Sequence, residues 1–278
     1  MRKDGCSKRR NFRPVARVGD KVPAPFDPPP DDDCDYKYRL VARENDIDPA
    51  QHPGARWFID AWYVVRDDRD IFNTMGFREI HPQWLGGTLA RWDAGALGTF
   101  RQGSVVDLWL QQAAASEWTQ RTLLETPQGQ VLVGVRARRD GTSYRYDYAV
   151  ANLDFSRAES TGTEPNLRVT SNLGFTAFTV QHAHGAAATA SSFRDGNPDP
   201  ADDWPSDTGI SETAWAAEDP AAHLPWGQLT SFTLHSPNPP GPGTATLAIP
   251  ATASASADAL QAPTLVPDAS KIFSDRFE

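Results

Sequence analysis

His182 and His184, in "QHAHG", are the side chains whose type and spacing come closest to a metal site. On a strand, residues i and i+2 project to the same face, so both imidazoles would reach one ion. The acidic stretch downstream, with Asp203, offers a third ligand. Imidazoles with a carboxylate would take zinc. The acid-rich loops around Glu44, Asp46 and Asp48, around Asp67, Asp68 and Asp70, and from Asp199 to Asp207 would take calcium, which wants six to eight oxygens. None has the glycine and glutamate spacing of a calcium-binding hand. The plainer alternatives are two exposed histidines at a strand end and solvated loop acids that keep sheet edges apart.

Two further chemistries are available in principle. Asp60, Asp107, Glu117 and Asp147 are the carboxylates from which a glycosidase pair would be drawn, at roughly 5–10 Å separation. Asp60 stands out, because it sits in an otherwise apolar strand where burial would raise its pKa. Trp204, Trp215 and Trp226 are spaced along one long connection, residues 191–227. Exposed and coplanar, they would stack on sugar rings; buried, they would cap core edges and anchor the connection. If the function is local, this long loop is where it is expected. No G-x-S-x-G elbow, P-loop or dinucleotide fingerprint occurs, and no catalytic residue is assigned.

The elements that must position these residues read as β-structure. The 278 residues are 39% hydrophobic, with 23 prolines and 20 glycines at short intervals, a composition of many short strands. The net charge of -9 argues against general nucleic-acid binding. No apolar run approaches the roughly 20 residues of a membrane-spanning helix. Cys6 and Cys34 are the only cysteines, which leaves a disulfide or two thiols open and excludes a cysteine-based zinc site.

"VLVGVRARRDGTSYRYDYAVANLDFS" alternates, turns and alternates again. A two-residue Asp140-Gly141 turn predicts that Arg139 pairs with Thr142, Val135 with Tyr146, Val133 with Tyr148 and Val131 with Val150. On the other face Arg136 would meet Arg145, with Asp147 diagonal to Arg136. "DYKYRLVAR" reads as a half-buried strand and "RWFIDAWYVVRDD" as a central strand covered on both sides. "VVDLWLQQAAASEW" is ambiguous, strand-like at the front with a helical turn over 111–117. "LGFTAFTVQHAH", "QLTSFTLHS" and "TATLAI" read as further strands.

Several stretches, taken in order, resemble a family of uncharacterised secreted bacterial proteins. Its "RLxVxEDDxDP", "YVxxDD", "WHYEYAVHNLNSDR" and "NALRWGTLYNFRF" segments have counterparts here in "RLVARENDIDP", "WFIDAWYVVRDD", "YRYDYAVANLDFSR" and "AAHLPWGQLTSFTL". The likeness covers residues 34–249. "NTMGF" stands where the family has paired asparagines. The tail "IFSDRFE" resembles an "IFADGFE" ending, with Arg276 for glycine. The resemblance implies export or surface attachment, with a signal peptide and a cysteine-containing region upstream of what matches here. The given start has no apolar signal-peptide core. The resemblance implies no activity and no catalytic residue.

The expected architecture is all-β: an antiparallel, immunoglobulin-like β-sandwich over residues 129–249. A smaller β region spans 35–128, a flexible basic and proline-rich segment 1–34, a low-complexity disordered linker 250–270 and a tail 271–278. The expected function is a non-catalytic binding or structural protein, secreted or at the cell surface, whose partner is an extracellular glycan or a surface protein. The alternatives are a carbohydrate-binding or carbohydrate-processing protein, and a metal-dependent enzyme using His182 and His184.

Overall fold

The protein is described from a computed structural model covering residues 47–63, 70–85, 91–195, 202–219 and 222–270. The strand expected in "DYKYRLVAR", both cysteines and the tail lie outside the described residues. The chain divides into two compact units between Val105 and Val106.

In the first unit, β1 (Trp57–Ala61), β2 (Gly76–Ile80) and β5 (Ala96–Gln102) form an antiparallel sheet in the order β1-β2-β5. β3 (Gln83–Leu85) and β4 (Arg91–Asp93) make a separate two-stranded ribbon. Phe77 is buried on β2 and meets Phe58 edge-on at 5.9 Å. Arg56 fastens the edge with a forked ion pair to Glu79, both bonds 2.7 Å. The strand expected to be central is instead an edge: β1 pairs only with β2 among the described strands, and Trp57 to Asp60 are half-buried. Alternating aromatics on both faces do not require burial on both faces, because large rings also cover an edge.

In the second unit, α1 (Val105–Gln111) precedes an antiparallel sandwich. One five-stranded sheet runs β12 (Thr189–Arg194), β15 (Gln228–Ser236), β8 (Ser143–Asn152), β7 (Gly129–Asp140), β6 (Trp118–Thr126). The other runs β13 (Ser206–Thr208), β14 (Glu212–Ala216), β11 (Ala177–Gln181), β16 (Pro240–Ile249), β17 (Asp258–Pro267). A small ribbon of β9 (Arg157–Thr161) and β10 (Arg168–Leu173) stands apart. The all-β sandwich expected from the sequence is the fold observed. Between the sheets lies an aromatic core. Phe178 stacks on Phe232 at 4.5 Å, Tyr148 meets Phe178 at 5.5 Å and Trp215 meets Phe232 at 5.3 Å. Val131, Val133, Val135, Tyr146 and Val150 are also fully buried in it. Each fully buried large apolar side chain stabilises by about 1.5–3 kcal/mol.

The β7–β8 hairpin keeps its expected inward face but not its expected pairing. Asp140 pairs with Ser143, so the two-residue turn is Gly141-Thr142. Gly141 takes φ +62° at the first central position, which glycine alone adopts without a Cβ penalty. Every pairing therefore moves by two residues: Val135 faces Tyr148, Val133 faces Val150, and Arg138 rather than Arg136 faces Arg145. An even shift preserves which side chains point inward, because the side-chain period of a strand is two.

The ambiguous stretch resolves the other way round. The helix is its front, Val105–Gln111, with Val106 and Leu108 buried. Gly134 on β7 makes room for it, since a Cβ there would lie 2.9 Å from a Val106 methyl. Strand β6, placed by the sequence reading in the smaller region, belongs to the sandwich and pairs with β7 over nine positions. The expected linker is also corrected. Residues 258–267 form β17, laddered to β16 over its whole length, with Ala262 and Val266 in the core. Residues 250–256 ahead of it are fastened by the β9–β10 ribbon. Arg157 donates to the Pro250 carbonyl at 3.0 Å and the Ser256 carbonyl at 2.6 Å, and Glu159 accepts from the Ser254 backbone and hydroxyl.

Candidate functional site

The two histidines lie just beyond the end of β11, so the strand geometry that would align them is absent. His182 is buried, and its Nε2 sits 2.9 Å from the Thr213 hydroxyl. Burial holds its pKa below the ordinary value, against a backbone contact at Ile210 and the charge of Glu212. His184 turns out to solvent through a left-handed backbone, φ +55°. Its Nδ1 lies 2.7 Å from Oδ1 of Asp268. Burial alone would raise the Asp268 carboxyl, but the Ser270 hydroxyl and backbone N–H, together with His184, hold it below its usual range. Asp203 is exposed. Among the described residues no three His, Cys, Asp or Glu side chains are grouped to hold a metal ion, so the trio of His182, His184 and Asp203 does not assemble. Of the acidic clusters expected to take calcium, Glu44, Asp46, Asp67, Asp68 and Asp199 lie outside the described residues.

The tryptophans divide. Trp215 is 1% exposed and Trp204 4%, both inside the aromatic core. Trp204 stacks on Phe193 at 5.4 Å and donates from its indole nitrogen to the Ala222 carbonyl at 2.6 Å, which pins the long connection to the core. Trp226 is half-buried. The sugar platform expected from these three is thus corrected: two of them present no face to solvent. Among its described residues the long connection carries the end of β12 and all of β13 and β14.

Among the described residues the exposed aromatics are Tyr63, Trp84 and Phe100 in the first unit and Trp118 on β6 in the second. Trp84 on β3 is 46% exposed and faces Trp92 on β4, with centroids 5.9 Å apart and planes tilted by 58°. Phe100 on β5 is 59% exposed. Its ring lies over Gly76, where a Cβ would come within about 2 Å of it, so glycine is what admits that ring. Short strands of alternating sequence carry these side chains outward. No long hydrophobic run marks them, and composition alone does not separate them from the buried tryptophans.

Of the four carboxylates, three are engaged with arginines in the second unit. Asp107 accepts from Arg121 at 2.6 Å, and Glu117 accepts from Arg136 at 2.5 and 2.9 Å. Asp147 accepts from Arg138, Arg145 and the Thr233 hydroxyl at 2.8–2.9 Å. Asp60 is in the first unit. Its Oδ2 accepts the Val105 N–H at 3.3 Å, while its Oδ1 is buried with no hydrogen-bond partner among the described residues. Burial pushes this carboxyl up to about 6, and the backbone bonds from Val105 and Ala61 only partly oppose it. That is the perturbation expected from its place in an apolar strand.

In comparisons with protein-family models, with curated proteins and with solved structures, nothing matches the chain.

Proposed function

We propose that this is an exported bacterial protein that acts at the cell surface or outside the cell by binding or as a structural component, without catalysis. One observation carries the non-catalytic part. Most of the side chains singled out for chemistry are engaged in holding the fold: His182 on Thr213, Trp204 and Trp215 in the core, and Asp107, Glu117 and Asp147 on arginines, with Asp60 the exception. The exported part rests on the ordered set of motifs that resembles a secreted family. A panel of glycan and ester substrates tests the first part. The expected result is no turnover. Turnover that a single substitution at Asp60 or His184 abolishes would contradict it.

A second reading is glycan binding, with Trp84 and Phe100 as the stacking surfaces in place of the buried tryptophans. Loss of retardation in a glycan-containing gel on Trp84→Ala would support it.

A further inference from the structure

On the outer face of the β12-β15-β8-β7-β6 sheet, Arg138 on β7 stands directly opposite Arg145 on β8, and Arg145 stands opposite His235 on β15. With strands about 4.8 Å apart, the row spans roughly 10 Å. Two guanidinium groups placed directly opposite repel each other. A single carboxylate, Asp147 in the adjoining row, accepts from both. A second carboxylate borders the row, with Oδ2 of Asp140 3.9 Å from Nδ1 of His235. Arg138 uses one terminal nitrogen for Asp147 and Arg145 uses its Nε. The second terminal nitrogen of Arg138 and both of Arg145 have no acceptor among the described residues. Their side chains are 37% and 38% exposed. Neighbouring Arg136 makes the contrast. It is saturated by Glu117, by the Trp109 carbonyl and by the Trp109 ring 5.4 Å away. The helix α1 lies over the sheet at Gly134, and the row lies toward the hairpin turn.

We propose that Arg138 and Arg145 form a two-pronged receptor for the oxyanion groups of an acidic polysaccharide. This rests on the binding reading above and names its ligand class. Planar guanidinium forks match carboxylate or sulfate groups two bonds at a time. Two such forks on neighbouring strands suit a chain that carries its charges at intervals along a strand of sugars. A nucleic acid is disfavoured, because two guanidinium groups release too few counterions to hold a polyphosphate backbone.

The test is affinity electrophoresis of the full chain through gels containing polygalacturonate, dextran sulfate or neutral dextran, with a single-stranded DNA oligonucleotide as a fourth arm. The expected result is retardation by the acidic glycans and none by neutral dextran. Binding of polygalacturonate alone would identify a uronate carboxylate as the source, and binding of dextran sulfate alone a sulfate ester. The double variant Arg138→Gln/Arg145→Gln is expected to weaken glycan binding at least tenfold with an unchanged melting temperature. The charge-matched control Arg168→Gln, an exposed arginine on β10, is expected to retain it. Should the double variant melt early, Arg145→Gln alone provides the readout. The proposal is overturned by absent retardation, by equal retardation of the variants and the wild type, or by tighter binding of the oligonucleotide through the same arginines. Such a failure leaves the exported, non-catalytic reading standing, since cellular location and turnover test that separately.

Discussion

The Tyr148 hydroxyl donates to the Leu265 carbonyl at 2.8 Å, joining β8 of one sheet to β17, the last described strand, of the other. The tyrosine is completely buried, and burial drives its hydroxyl well above the ordinary pKa, so it stays a neutral donor. Tyr148→Phe leaves a partly buried carbonyl without this donor and is expected to cost about 1–2 kcal/mol. Urea denaturation of the two proteins checks this, read as a lower midpoint at unchanged slope.

Removing residues 250–270 is expected to do far more. It strips β16 of one of its two partner strands and opens the core at Ala262 and Val266. A truncated protein should lose cooperative unfolding and near-ultraviolet circular dichroism. Arg157→Met is the milder version. It releases the carbonyls of Pro250 and Ser256, and limited proteolysis should then cut within residues 250–257 while the sandwich stays intact.

Asp60 and His182 give opposite pH signatures. The folded protein holds Asp60 near 6, above its unfolded value, so it binds a proton more tightly when folded. Its contribution is therefore favourable at low pH and is lost as pH rises through about 4 to 6. Asp60→Asn is expected to stabilise the first unit at pH 7, on the order of 1–2 kcal/mol once partial exposure is allowed for. Melting curves of wild type and variant at pH 4 and pH 7 check it, with the gain confined to pH 7.

His182 is held below its ordinary pKa by burial. The unfolded chain takes up the proton first, so stability is complete above about 6.5 and falls as pH drops through that value. In an Asp60→Asn background the melting temperature of the second unit should decline from pH 7 toward pH 5. His182→Gln should flatten that slope, even if it lowers the whole curve.

Trp215→Ala is expected to cost about 3–5 kcal/mol, because it empties a site against Phe178 and Phe232. Trp84→Ala, at an exposed position, should change stability by less than about 1 kcal/mol. Denaturation of both variants separates a core tryptophan from a surface one.

The inward face of the β7–β8 hairpin was legible because alternation over ten residues per strand leaves one apolar side. Its turn was not, because Asp140-Gly141 and Gly141-Thr142 both offer a glycine, and only the φ of Gly141 and the pairing beyond it decide between them. Residues 258–267 hid as a strand because "DALQAPTLVP" has few β-branched residues and two prolines. An edge strand tolerates both prolines, since part of its backbone needs no partner. The tryptophans of the long connection could equally fill a core or face a ligand; tertiary packing decided. His184 meeting Asp268, 84 residues away, and the row of Arg138, Arg145 and His235 depend on register between distant strands, which no local spacing encodes.

The central claim, an exported protein that binds or builds rather than catalyses, is tested most directly by the intact mass and location of the native protein in its own cells. The account predicts a species in the medium or on the cell surface, with a mass reporting any processed upstream segment. A cytosolic species starting at Met1 would contradict it.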